Sequence, residues 1–129
     1  MKSNFHPIKN YDAGGTIENR RIVKFGTADH QVVKAAAATD TPIGVSHEPD
    51  NDGAPGAGDR IDVALAGIVE VDYGGAVTRG DLLTSDANGK AVAAAPGAGA
   101  NNGIIGIAEI SGVDGDIGEV RIAPQSLQG

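Results

Sequence analysis

From Arg60 to Tyr73 apolar and polar residues alternate. Ile61, Val63, Leu65, Val69, Val71 and Tyr73 hold odd positions, while Asp62, Glu70 and Asp72 hold even ones. Successive side chains of a strand point to opposite faces, so the odd set predicts one buried face, with Ile61, Val63, Leu65, Val69 and Val71 as its core residues. Gly67 lies on that face at its middle, where a missing side chain permits a sharp bend. The pattern therefore predicts two strands around a glycine corner.

Shorter apolar runs at residues 21–25, 31–35, 43–46, 81–84, 90–94, 104–110 and 118–122 are separated by Gly, Pro, Asn and Asp. That spacing predicts an all-β fold, a small sandwich or barrel of short antiparallel strands with Gly-rich loops. The alanines at 35–38 favour a helix, but Thr39, Asp40, Thr41 and Pro42 stop it within a turn or two, so little helix is expected. Residues 48–58 and 96–103 are expected as surface loops. The first fifteen residues are polar apart from Phe5, Ile8 and Tyr11, and Pro7 and Gly14-Gly15 punctuate them. They read as an extended N-terminal arm (1–15) before a single β domain (16–129).

Asn88-Gly89-Lys90 sits inside GDLLTSDANGKAVAA (80–94) and predicts a tight hairpin turn, because Asn-Gly suits two central residues with positive φ. A looser copy of this hairpin lies upstream. Ile22-Val23-Lys24 to Lys34-Ala35-Ala36 answers Leu82-Leu83-Thr84 to Ala93-Ala94-Ala95. Ile43-Gly44-Val45 then answers Ile105-Gly106-Ile107, and Gly58-Asp59 before Val63 and Leu65 answers Gly115-Asp116 before Val120 and Ile122. The spacing drifts between about 57 and 62 positions as loops lengthen or shorten. Internal duplication and a shared richness in Ala, Gly and Val both account for the match.

Composition changes the picture in two ways. The chain of 129 residues has 20 Gly, two Phe, two Tyr, one Met and no Trp, so its core is built from small aliphatic side chains. A full-sized aliphatic contributes about 1.5–3 kcal/mol on burial and Ala less. A marginal monomer of this kind gains from packing against copies of itself or a larger partner. The formal charge is −7, from 17 acidic against 10 basic residues, and no basic cluster offers a footprint for nucleic acid. Without cysteine there is no disulfide, thiolate or Cys-based zinc chemistry, which suits synthesis in a reducing cytoplasm. No window has the roughly twenty apolar residues of a membrane-spanning helix, and the N-terminus lacks a signal-peptide core.

Reactive constellations are weak. Ser46-His47-Glu48 brings three catalytic residue types together in sequence, but neighbours on a strand diverge. Asp50-Asn51-Asp52-Gly53 begins like a calcium loop, yet its glycine comes too early and no glutamate closes it. The three histidines lack ligand spacing, so no metal site is expected. Gly56-Ala57-Gly58 and Gly97-Ala98-Gly99 lack the rest of a phosphate-binding loop, and Arg79-Gly80-Asp81, though it spells an adhesion tripeptide, reads as a turn. Lys90 lies at a hairpin tip, where biotinyl and lipoyl carriers display their modified lysine. Its neighbours Gly89 and Ala91 differ from the Met or Asp that flank the lysine in such carriers, but a biotinyl- or lipoyl-like carrier remains one alternative. A glycan-binding module is another, poorly served by four aromatic residues.

GDLLTSDANGKAVAA, the IGIAEISG segment (105–112) and the closing run Val120–Ile122 together resemble the small capsid cement or head decoration proteins of tailed bacteriophages, over most of the chain from about residue 22 to 123. The resemblance implies a non-enzymatic protein without cofactor, made in the bacterial host cytoplasm. It would add to the outer surface of the expanded head, commonly as a trimer bridging subunits of the major capsid protein, with no nucleic-acid or membrane partner. Phe5, Pro7, Ile8 and Tyr11 of the arm are the residues assigned to capsid contact, by adding a strand to an exposed sheet edge. The same arm also reads as a disordered terminus in the free protein.

Overall fold

The structure is a computed structural model, and it describes residues 8–47 and 56–129. Among these there is no helix, only ten strands in two units. In unit one, β1 (Ile8–Ala13), β2 (Ile22–Phe25), β3 (Gln31–Lys34), β4 (Gly44–Ser46) and β5 (Arg60–Ala64) close into a barrel in the order β1-β3-β2-β4-β5. In unit two, β6 (Ile68–Asp72), β7 (Leu82–Ser85), β8 (Ala91–Ala93), β9 (Asn101–Ala108) and β10 (Ile117–Gln128) form a sheet in the order β6-β10-β9-β7-β8. The glycine corner joins the units: β5 ends in unit one, Gly67 turns the chain at φ 88°, and β6 begins unit two.

Replacing β1–β5 by β6–β10 in turn converts the first strand order into the second, and the register agrees pair by pair. Ile22 faces Val45 and Val23 faces Gly44 in unit one; Leu82 faces Ile107 and Leu83 faces Gly106 in unit two. Val23 faces Lys34 where Leu83 faces Ala93, and Val45 faces Ala64 where Ile107 faces Arg121. Tyr11 faces Ile61 where Val71 faces Gly118. Coincidence of composition does not reproduce a register, so the chain is one unit built twice. The closing seam differs. β1 runs parallel to β3 through Asp12–Gln31 and Ala13–Val32, whereas unit two keeps a single parallel bridge, Tyr73–Ala91.

Four expectations from the sequence are corrected. The stretch assigned to an extended arm is, from Ile8 onward, a barrel strand, because its backbone is paired on both sides by β5 and β3. One pair of strands is therefore parallel, while the other strand pairs among the described residues are antiparallel. β9 begins at Asn101, inside the expected loop, since the extension of β10 to Gln128 supplies its partner. The hairpin turn is also wider than a two-residue Asn-Gly turn. Only Gly89 has positive φ (75°), and the Asp86 carboxylate accepts from the N–H groups of Asn88 and Lys90.

Two buried clusters fill the molecule. The interior of unit one holds Tyr11, Ala13, Ile17, Val23, Val32, Ile61 and Val63. The interior of unit two, including Val71, Tyr73, Leu83, Ala91 and Val120, is continuous with Ile22, Ala35, Val45 and Ala64, which point outward from the barrel. Unit one thus packs its outer face against the core of unit two, and that cluster is common to both units while the barrel interior remains a separate one. Polar contacts tie the same junction. Asp72 accepts from Arg20 Nε at 2.8 Å and Arg21 Nε at 3.1 Å, and its N–H donates to the Arg20 carbonyl. Glu18 pairs with Lys34 at 2.8 Å, and that hydrogen bond holds its carboxyl below the usual range.

Candidate interaction surfaces

Ser46 and three aspartates serve the fold. Ser46 is buried, accepts from the Arg21 N–H at 2.9 Å and donates to the Glu18 carbonyl at 2.7 Å. Among the described residues no three His, Asp or Glu are grouped to hold a metal ion. Glu48, Asp50, Asn51, Asp52 and Gly53 lie outside the described residues. Asp59, Asp81 and Asp116 each close a four-residue turn by accepting, at 2.9 Å, from the N–H three residues back, on Gly56, Thr78 and Val113. Arg79-Gly80-Asp81 is one of these turns.

Lys90 does not stand clear of the molecule. The preceding Gly89 is buried, its carbonyl accepts from the Ile22 N–H at 2.8 Å, and the Asn88 carbonyl accepts from Arg21 Nη1 at 3.1 Å. A Cβ at Gly89 would sit 2.6 Å from Lys34 Cγ. The turn Asn88-Gly89-Lys90 is docked on unit one, which is poor geometry for a lysine that must travel between distant sites.

The arm residues divide. Phe5 and Pro7 lie outside the described residues. Ile8 is exposed, whereas Tyr11 is 4% exposed, sealed under Phe25 with ring centroids 6.4 Å apart and with Lys9 Nζ 5.0 Å over its ring. Of the candidate core face, Ile61, Val63, Val69 and Val71 are buried and Leu65 is half-buried against the barrel interior.

A sheet face that no sequence motif marks is the most distinctive surface. On the outer side of β6 and β10, Ile68 (47% exposed) and Ile117 (50%) flank Glu70 and Glu119, which stand directly opposite each other in register. Ile68 held the signal: it is a large apolar residue on the polar phase of an otherwise regular alternation. Arg121, next along β10, is engaged by Glu109 at 2.8 Å.

Neither a known protein family nor a curated protein matches the sequence. The fold does match: the crystal structure of the head fiber gp8.5 N base in bacteriophage phi29 superposes with a TM-score of 0.69 over 97% of this chain and 100% of that one, at 20% identity. The two chains therefore share one fold along nearly their whole lengths.

Proposed function

We propose that this protein is a non-enzymatic structural component of a tailed-phage head, seated on the outer surface of the capsid as a cement. The carrying observation is the fold match to the base of a phage head fiber along nearly the whole chain, reached independently of the resemblance in GDLLTSDANGKAVAA. The partner in this reading is the major capsid protein, engaged where capsomers meet, with the protein itself assembled as a trimer.

The physical basis is linkage. A protein that binds the expanded lattice and not its open or burst forms stabilises the former by RT ln(1 + [L]/Kd), about 2.7 kcal/mol per site at a hundredfold excess over Kd. Multiplied over many sites on one shell, a modest affinity opposes the pressure of packaged DNA. The task requires a stiff body with complementary faces and no reactive group, which suits a molecule with aspartates and arginines engaged in its turns and at the unit junction.

The test is sedimentation of purified protein with expanded, DNA-free heads of its phage, alongside heat challenge of virions with and without it. The expected result is saturable binding and DNA release at lower temperature from heads lacking the protein. Heads that neither bind it nor lose heat resistance without it would overturn the reading.

A further inference from the structure

The two units carry the same patch of sheet in different states of satisfaction. On unit one, Asn10 faces Asp62 across β1 and β5, its Nδ2 donating to Oδ1 at 2.8 Å, and Arg60 pairs with Asp12 at 3.2 Å. The register puts Glu70 at the place of Asn10, Glu119 at that of Asp62 and Ile117 at that of Arg60. A hydrogen-bonded pair is replaced by two carboxylates, and the nearby cation by an exposed isoleucine.

Among the described residues neither Glu70 nor Glu119 has an ion pair or a side-chain hydrogen bond, although both are exposed. Their register makes the repulsion close. The ladder bonds from Ile122 N–H to the Gly67 carbonyl and from Tyr73 N–H to the Asp116 carbonyl fix the alternation along these strands. Glu70 and Glu119 then form a non-hydrogen-bonded pair, the kind whose Cα atoms approach to about 4.5 Å. Like charges so placed oppose strand pairing. Ile68 and Ile117 leave apolar area on either side, and β6 is the terminal strand of its sheet.

We propose that this face, Ile68, Glu70, Ile117 and Glu119, is where the protein docks on the capsid, and that it receives a capsid segment presenting a lysine or arginine between apolar side chains. A cation seated between the carboxylates removes their repulsion and gains two charge-assisted hydrogen bonds, while the isoleucines are covered. A second copy is a poor occupant, since a face-to-face pair would set four glutamates together on chains of charge −7. The inference rests on the capsid-associated reading above.

The experiment compares wild type, E70Q/E119Q, I68S/I117S and a control, D29N in an exposed turn of unit one, by sedimentation with expanded DNA-free heads at low and moderate salt. Both double variants are expected to bind at least about tenfold more weakly, with D29N unchanged. E70Q/E119Q should also lose salt dependence, yet melt at a higher temperature than wild type when free. A purely structural role for the pair would not weaken binding while stabilising the protein. Wild-type affinity in both double variants overturns this docking face and leaves the cement reading intact. Loss of self-association in place of head binding assigns the face to a second copy and overturns it too. Failure of the wild type to bind heads removes the cement reading and this inference with it.

Discussion

Units one and two share strand order and register but place their bulk differently. At three corresponding interior positions unit one has Tyr11, Ala13 and Ile61, and unit two has Val71, Tyr73 and Gly118. The aromatic ring has moved two residues along its strand, still on the inner face, and the facing β10 has given up its side chain to admit it. A Cβ on Gly118 would lie 2.0 Å from Tyr73 Cζ. The ring then fills unit two and sends its hydroxyl to the Ile110 carbonyl at 2.6 Å. A topology fixed by backbone pairing thus accepts either distribution of volume, provided each is complete.

The sharpest way to break the comparison is to mix the two solutions. G118I alone, placing the residue of unit one against the ring of unit two, is expected to cost more than about 3 kcal/mol in urea unfolding, as severe overpacking. V71Y/Y73A/G118I, which transplants the full set, should recover at least half of that loss. Strict additivity would show that the positions are not coupled.

Next in size are the paired aspartates. Asp72, gripped by two part-buried arginines, and Asp12, on an exposed pair with Arg60, occupy the same place in the two units. D72N should destabilise by about 1–2 kcal/mol because two partly desolvated cations lose their carboxylate. D12N should change stability by less than about 0.5 kcal/mol. Equal losses in thermal melts would show that the junction is not held electrostatically.

The turns sharpen the same contrast. His30 (φ 64°) and Arg20 (φ 60°) are the non-glycine residues with left-handed backbone among the described ones, and they stand where unit two has Gly89 and Gly80. H30G should stabilise by about 0.5 kcal/mol by relieving the left-handed strain. G89A, which adds strain and meets Lys34, should cost about 1–2 kcal/mol.

The smallest expected effect is acid sensitivity. Burial pushes the Asp40 carboxyl up, but hydrogen bonds from the Ala36 and Ala37 N–H groups and from Lys24 outweigh it, so Asp40, like Glu18, sits below its usual value. Groups lowered on folding contribute stability that is present above their unfolded values and lost as pH falls through the folded ones. Melting temperature should therefore decline below roughly pH 4.5, and less steeply in D40N.

Much of this fold was written in alternation. The glycine corner and the strands after Ala13 follow from where Val, Ile and Leu fall relative to Gly, Asn and Asp. β1 was illegible because IKNYDA offers only Tyr11 and Ala13 to the interior, and its strand state comes from backbone hydrogen bonds to both neighbours. The internal match was the route to it: carried back about sixty positions, the unmistakable β6 falls on Ile8–Asp12. Residues 101–103 hid behind glycine and asparagine for the same reason, their partner being distant in sequence. The face of Glu70 and Glu119 needed the register, since no sequence pattern tells which two glutamates of a chain will meet.

The packing of unit one on unit two is head-to-tail, and such contacts have no natural end. The residues by which unit one grips its successor, Ile22, Val45 and Ala64, correspond on unit two to Leu82, Ile107 and Arg121. Two of the three remain apolar and half-covered. The third is a charged side chain, Arg121, tethered to Glu109. Where a third repeat would have to press an alanine's place into an oily interior, it would meet a guanidinium group. A further unit stacked in the same way would have to bury that charge, so the geometry by which unit one sits on unit two is disfavoured on the free end.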